Sequence, residues 1–171
     1  YCGFQKHMKN MLDGKRINQI ITFLKSLNIK SERFSEIIKT GNISVIQNFY
    51  PAFIHTSEDK IINYEKLEFF GDAVLRLAAS NFIEEKYPQM SVGERSELRA
   101  QLVSDEWLIK LGKKIDIEKL IIKGPKALGD ENSNNTIIGE ATEALIGAIY
   151  KCFNSIQEVN LWLDDIWEED S

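Results

Sequence analysis

Five acidic residues stand where helical spacing would gather them: Glu65, Glu68 and Asp72 in YEKLEFFGDAVL (64–75), and Glu140 and Glu143 in GEATEALIGAIY (139–150). The first three lie at i, i+3 and i+7, within a ~60° arc at about 100° per residue, on one stripe of a helix. Their neighbours Leu67, Phe69, Phe70, Val74, Leu75, Leu77, Ala78, Ala79, Phe82 and Ile83 make that helix apolar nearly all round, which places it inside a domain. Unpaired carboxylates in or beside a core are costly, and like charges at this spacing repel. Lys66 and Arg76 diverge from the stripe in direction, so a cation from elsewhere is expected. Glu140 and Glu143 repeat the anomaly at i, i+3, among Ile137, Ile138, Ala141, Ala144, Leu145, Ile146, Ala148 and Ile149. Two such helices face to face would offer only oxygen donors, a set suited to Mg²⁺ or Mn²⁺ rather than zinc. The competing reading, acids favoured by a helix N-terminus, explains Glu65 and leaves Asp72 unexplained.

The surrounding elements all read as helices. Asp13 suits the cap of a helix through about Leu27, with Ile17, Ile20, Ile21, Leu24 and Leu27 at helical spacing. Ser31 and Glu32 start a second helix through Ile38, stopped by Gly41. Residues 43–57 read as two short helices interrupted at Pro51. Asn63 suits the cap of the acidic helix, which runs to Tyr87 before Pro88. Ser91 and Ser104 suit the caps of two more, and Lys113–Ile122 is a less regular element. Gly124–Asn135 reads as a loop, Thr136–Phe153 as a helix, and Ile156–Trp167 as the last one. No useful stretch alternates with period two, so the expected class is all-α.

The 171 residues suit one domain, with 43% hydrophobic and 27% charged residues typical of a globular chain. Residues 1–12 read as a tail, partly foreign at His7-Met8, and 13–171 as the domain. Cys2 and Cys152 have no metal-ligand spacing and form no disulfide framework, which favours a reducing compartment. No apolar stretch approaches the ~18–20 residues that spanning a bilayer needs, and no secretory h-region is present. A cytoplasmic setting, or an organelle, follows as the expectation, with no membrane partner. The net charge of −5 is unevenly distributed: residues 1–63 carry 9 basic and 5 acidic side chains, residues 64–171 carry 12 and 21. The acidity therefore sits where the candidate site is, apart from a share in the tail Asp164–Asp170.

At these residues the chain resembles the ribonuclease III family. Glu65–Leu75 resembles its signature helix, acidic-x-Leu-Glu-Phe-Leu-Gly-Asp-Ala-Val-Leu, with Phe70 in place of the usual Leu. AFIHTS (52–57), SELRAQLVS (96–104) and GEATEALIGAIY (139–150) resemble three further family blocks in order, and the likeness spans roughly Ile17–Trp167. It implies a ribonuclease III endonuclease-domain fold, a homodimer, and double-stranded RNA as substrate. Carried over by position, it implies Glu68, Asp72, Glu140 and Glu143 as metal ligands and Glu65 as an auxiliary carboxylate. The implied chemistry is Mg²⁺-dependent hydrolysis, with Mn²⁺ as a substitute, leaving 5′-phosphate and 3′-hydroxyl ends. Phe69 matches an aromatic that packs across the family's dimer interface; otherwise it is a plain core phenylalanine.

Three positions depart from the family pattern. Glu140 stands where aspartate is usual, Val92 where an auxiliary glutamate is frequent, and Asp130 and Glu131 where the preceding loop tends to be basic. The alternative function is a catalytically silent domain of the same fold, binding RNA or the ribosome. Retention of all four acidic positions favours the enzyme. Relatives commonly append a double-stranded-RNA-binding domain; this chain shows none, so weak, salt-sensitive RNA binding is expected of it alone. Elsewhere the readings are plainer. His55 reads as a hydrogen-bonded packing residue, Ser57 and Ser96 as caps, and Trp107, Trp162 and Trp167 as packing residues. Lys110, Lys113, Lys114, Arg95 and Arg99 read either as an RNA face or as solvated surface.

Overall fold

Side-chain caps start most of the helices. Asp13 accepts the Arg16 N–H ahead of α1 (Gly14–Ser26), Ser31 that of Phe34 ahead of α2 (Glu32–Thr40), and Asn42 that of Ser44 ahead of α3 (Ile43–Phe49). Each satisfies a donor that the first helical turn leaves orphaned. Gly41 ends α2 in the left-handed region, at φ 62°. Pro51 sits in a 3₁₀ turn, Tyr50–Phe53. The long α4 (Glu65–Lys86) follows, then α5 (Val92–Leu102) capped by Ser91 and α6 (Asp105–Lys114) capped by Ser104. Two further 3₁₀ turns, Ile117–Leu120 and Pro125–Ala127, lead to α7 (Glu131–Phe153) and α8 (Ile156–Glu169).

This computed structural model describes residues 13–127 and 129–170, so the tail 1–12 lies outside the described residues. Among the described residues there is no strand; an isolated parallel bridge joins Ile54 to Ile122. The all-α expectation holds. No helix among the described residues is long and apolar enough to cross a membrane.

α7 forms the centre, packed against α3, α4, α6 and α8. Its Ala141, Ala144, Leu145, Ile146, Ala148 and Ile149 are fully buried. Its main neighbour is α4, and two glycines permit their close approach. A Cβ on Gly71 would overlap the Glu143 carbonyl of α7, and one on Gly147 would lie 2.6 Å from the Leu67 carbonyl of α4. The absent side chains bring the two backbones together, a role glycine fills wherever chains must nearly touch. Trp107, Trp162 and Trp167 pack as expected, with the Trp107 and Trp167 rings 5.5 Å apart.

Several expected features are corrected. α7 begins at Glu131 rather than Thr136, because Asp130 caps it by accepting the Ser133 N–H at 2.9 Å. Its first turns are solvent-facing and polar, a composition that reads as loop. Asp130 and Glu131 are therefore a cap and a first-turn residue, not loop residues beside a ligand. Asn63 accepts the Glu65 N–H at 3.0 Å, but the cap position itself is Tyr64. α4 is not buried all round, for Phe69 is 84% exposed and Leu77 49%. Its acidic stripe and this apolar strip belong to an open face. Neither Ser57 nor Ser96 caps a helix: Ser57 lies between the bridge segment and α4, and Ser96 inside α5.

Candidate active site

The glycine crossing of α4 and α7 decides what stands beside what. Glu68 and Asp72 flank Gly71 on α4, and the Glu143 carbonyl is the atom a Gly71 side chain would strike. Glu68, Asp72, Glu140 and Glu143 are all half-buried, whereas Glu65 is exposed. Burial raises the pKa of Glu68 to about 7, reinforced by the charges of Glu140, Glu65, Asp105 and Asp72. Burial likewise pushes Glu143 up to about 8, reinforced by Asp72, Glu68 and Asp105 and opposed by Arg76. Carboxyls from both helices thus disfavour one another's ionisation, as like charges in one partly desolvated space do.

Two of the four are engaged by protein groups. Arg76 reaches back one turn to Asp72, with Nε 3.3 Å from Oδ2. This corrects the expectation that Arg76 diverges from the stripe: a long flexible side chain covers an angular gap that its Cβ direction does not. Tyr64 donates its hydroxyl to Oε2 of Glu140 at 2.8 Å. Burial, followed by this bond and the nearby carboxylates, raises the phenol well above its ordinary range, so it stays a donor. As the side chains stand, no three His, Cys, Asp or Glu groups among the described residues lie close enough to share an ion. The donor chemistry nevertheless fits a hard divalent cation: all donors are carboxylate oxygens, and each engaged carboxylate has a second oxygen. A cation bound among these oxygens would offset the mutual repulsion.

Two contributors escaped the sequence reading. Asp105 opens α6, directly after the Ser104 cap, and its charge bears on both Glu68 and Glu143. Its place at the end of the SELRAQLVS block was the available signal. Tyr64 begins the acidic segment but carries no charge to mark it. Val92, where an auxiliary glutamate was missing, is 80% exposed.

Most of the remaining candidates have structural partners. His55 is a packing residue as expected: its Nδ1 accepts the Ser57 N–H at 3.1 Å, and its ring meets Tyr64 edge-on. Arg95 donates to the Met90 and Pro88 carbonyls, and Arg99 to Ser80 Oγ, tying α5 to α4. Lys110 pairs with Asp170, just past α8, and Lys114 with Glu169 of α8.

Comparison with known proteins fixes the family. The model of the family described as Ribonuclease-III-like matches residues 48–160, a span that includes all five acids. The chain belongs to the ribonuclease III family. It is 44% identical to Ribonuclease 3 of Prochlorococcus marinus, over 98% of this chain and 67% of that protein. It is 39% identical to Ribonuclease 3 2 of a Synechocystis species, over 67% of this chain and 47% of that protein. The chain thus spans two thirds of the first relative and about half of the second. Among solved structures it resembles the nuclease domain of ribonuclease III from Campylobacter jejuni, with a TM-score of 0.69 and 25% identity, covering 85% of this chain and 94% of that one. By family the domain is a ribonuclease III nuclease, and its helices are that fold.

Proposed function

We propose that residues 13–171 form a catalytic domain that hydrolyses phosphodiester bonds of double-stranded RNA, with Glu68, Asp72, Glu140 and Glu143 holding Mg²⁺ or Mn²⁺. The observation that carries this reading is the α4–α7 crossing, where acids from two core helices press on one another's ionisation. A bound divalent cation would make water nucleophilic near neutral pH and offset the charge developing at phosphorus. The chain's own part is to hold oxygen donors on two helices whose spacing the backbone fixes. Glu65, exposed one turn before Glu68, serves as an auxiliary carboxylate. The products are 5′-phosphate and 3′-hydroxyl ends, as in RNA processing, rRNA included.

The active form is a homodimer with Phe69 at its interface. Its 84% exposure removes the core-phenylalanine reading and leaves a large apolar side chain to be covered. The Campylobacter jejuni nuclease domain likewise has a region involved in dimer formation, which is structurally flexible. Arg95, Arg99, Lys110 and Lys114 have protein partners and the chain is net acidic, so RNA affinity from this domain alone is weak and salt-sensitive. A cytoplasmic, reducing setting accords with two cysteines and bacterial relatives.

The decisive experiment is cleavage of a long RNA duplex in Mg²⁺ by this chain and by its Asp72→Asn and Glu143→Gln variants. The unaltered chain is expected to cut and each variant to lose roughly 10³-fold in rate, about 4 kcal/mol. Failure of the unaltered chain in both Mg²⁺ and Mn²⁺ would instead make it a silent, RNA-binding member of the fold.

A further inference from the structure

Tyr64 stands at the start of α4, yet its hydroxyl ends on α7. The residue is 1% exposed, and the hydroxyl donates to Glu140 Oε2 at 2.8 Å. The ring is held from a third direction. The Tyr64 N–H donates to the Ile54 carbonyl at 3.0 Å, and Ile54 is bridged to Ile122. On either side, the Ile122 N–H meets the Phe53 carbonyl at 2.8 Å and the His55 N–H the Ile122 carbonyl at 2.9 Å. The His55 ring meets Tyr64 edge-on at 5.8 Å, and Ser57, bonded to His55, accepts the Gly124 N–H at 2.9 Å. The phenol is therefore fixed by a strap of loop segments and by α4 together, and it grips one oxygen of Glu140.

We propose that Tyr64 is a positioning residue: its hydroxyl holds Glu140 through Oε2, presents the second oxygen to a divalent cation, and so lets glutamate serve where the family usually carries aspartate. This rests on the metal-site reading above. A glutamate has one more rotatable bond than aspartate, and an unanchored carboxylate would sample orientations useless to a cation with exacting geometry. The hydrogen bond removes that freedom. An aspartate at position 140 would be shorter by about one carbon–carbon bond, ~1.5 Å, and would leave the buried phenol without its acceptor. Tyrosine and glutamate are thus a matched pair, each making the other tolerable.

The test measures Mn²⁺ affinity by calorimetry and duplex cleavage for the unaltered chain, Tyr64→Phe, Glu140→Asp, the double variant and Asp72→Asn, with thermal unfolding in chelator as the folding control. Tyr64→Phe is expected to weaken Mn²⁺ binding roughly 10-fold and lower kcat with little change in KM for RNA. In the Glu140→Asp background the same replacement is expected to change neither. Glu140→Asp alone is expected to bind Mn²⁺ more weakly, despite restoring the usual residue. Equal Mn²⁺ affinity in Tyr64→Phe and the unaltered chain, with Asp72→Asn weakened, overturns the role of Tyr64 and leaves the metal reading intact. Tight Mn²⁺ binding by Glu140→Asp does the same should Tyr64→Phe not fold. Unchanged affinity in Asp72→Asn overturns the metal reading and this inference with it.

Discussion

Near the end of α8, Asp165, Glu168, Glu169 and Asp170 each meet a lysine: Lys30 at 3.0 Å, Lys86 at 3.4 Å, Lys114 at 3.2 Å and Lys110 at 3.6 Å. Where α4 crosses α7, Glu68, Asp72, Glu140 and Glu143 share one cationic partner among the described residues, Arg76 on Asp72. The lysine-paired acids are on a surface, where solvent screens their charge and flexible partners are easily found. The others sit between core helices, where burial and crowding drive Glu68 and Glu143 toward their neutral forms. The same residue types therefore mean different things. Acids at the tail are neutralised by the fold itself, whereas most acids at the crossing have no cationic partner among the described residues, which is what the proposed metal site would use.

The comparison can be broken at several points. The largest effect is the roughly 10³-fold loss of cleavage expected for Asp72→Asn or Glu143→Gln; a variant that still cuts at the original rate would make the crossing no different from the tail. Next comes Gly71→Ala, whose methyl group must displace the Glu143 backbone. It should destabilise the domain by about 3 kcal/mol, at the upper end for overpacking, read from urea unfolding. An unaltered midpoint would show that the helices can separate freely. Phe69→Ala should weaken dimerisation by at least about tenfold in sedimentation experiments, with the monomer's unfolding unchanged. If the dimer persists at the same affinity, the exposed ring lies outside the interface.

Smaller effects sharpen the contrast. Glu68 and Glu143 keep protons in the folded domain at pH values where an unfolded chain has released them. Stability in chelator should therefore fall as pH rises from about 5 to about 8, because the folded state binds the extra protons. Saturating Mg²⁺ should flatten that fall by supplying the missing positive charge. A flat melting temperature in chelator over this range would remove the electrostatic coupling between the helices. Least of all, Lys114→Ala and Lys110→Ala should each change stability by less than about 1 kcal/mol, and less again in high salt.

Much of this was legible in the residues because two signals coincided. Apolar periodicity set the helices, and Glu65, Glu68, Asp72, Glu140 and Glu143 stood out as the acids that broke it; the choice of four of them as proposed ligands came from the family resemblance. Caps such as Asp13, Ser31, Ser91 and Ser104 were readable because each precedes an apolar-periodic run. The start of α7 was not, since ENSNN is polar and its helicity depends on Asp130 and on continuation of the buried helix behind it. Nor did composition reveal the exposure of Phe69, to which only the family resemblance pointed, because an apolar helix looks buried whether a domain or a second subunit covers it. Tyr64 and Asp105 were hidden for another reason: their importance lies in which helix they face, a property of tertiary placement.

The contact between Gly71 and Gly147 also limits how this protein can vary. Helices locked backbone to backbone cannot slide by a fraction of an ångström; a shift of one residue is about 1.5 Å along the axis and about 100° around it. Spacing between the two sets of acids is thus adjustable only through side-chain length and its supports. The glutamate at position 140 is a change of that kind, and lineages that share this crossing should diverge at the site in pairs of residues rather than singly.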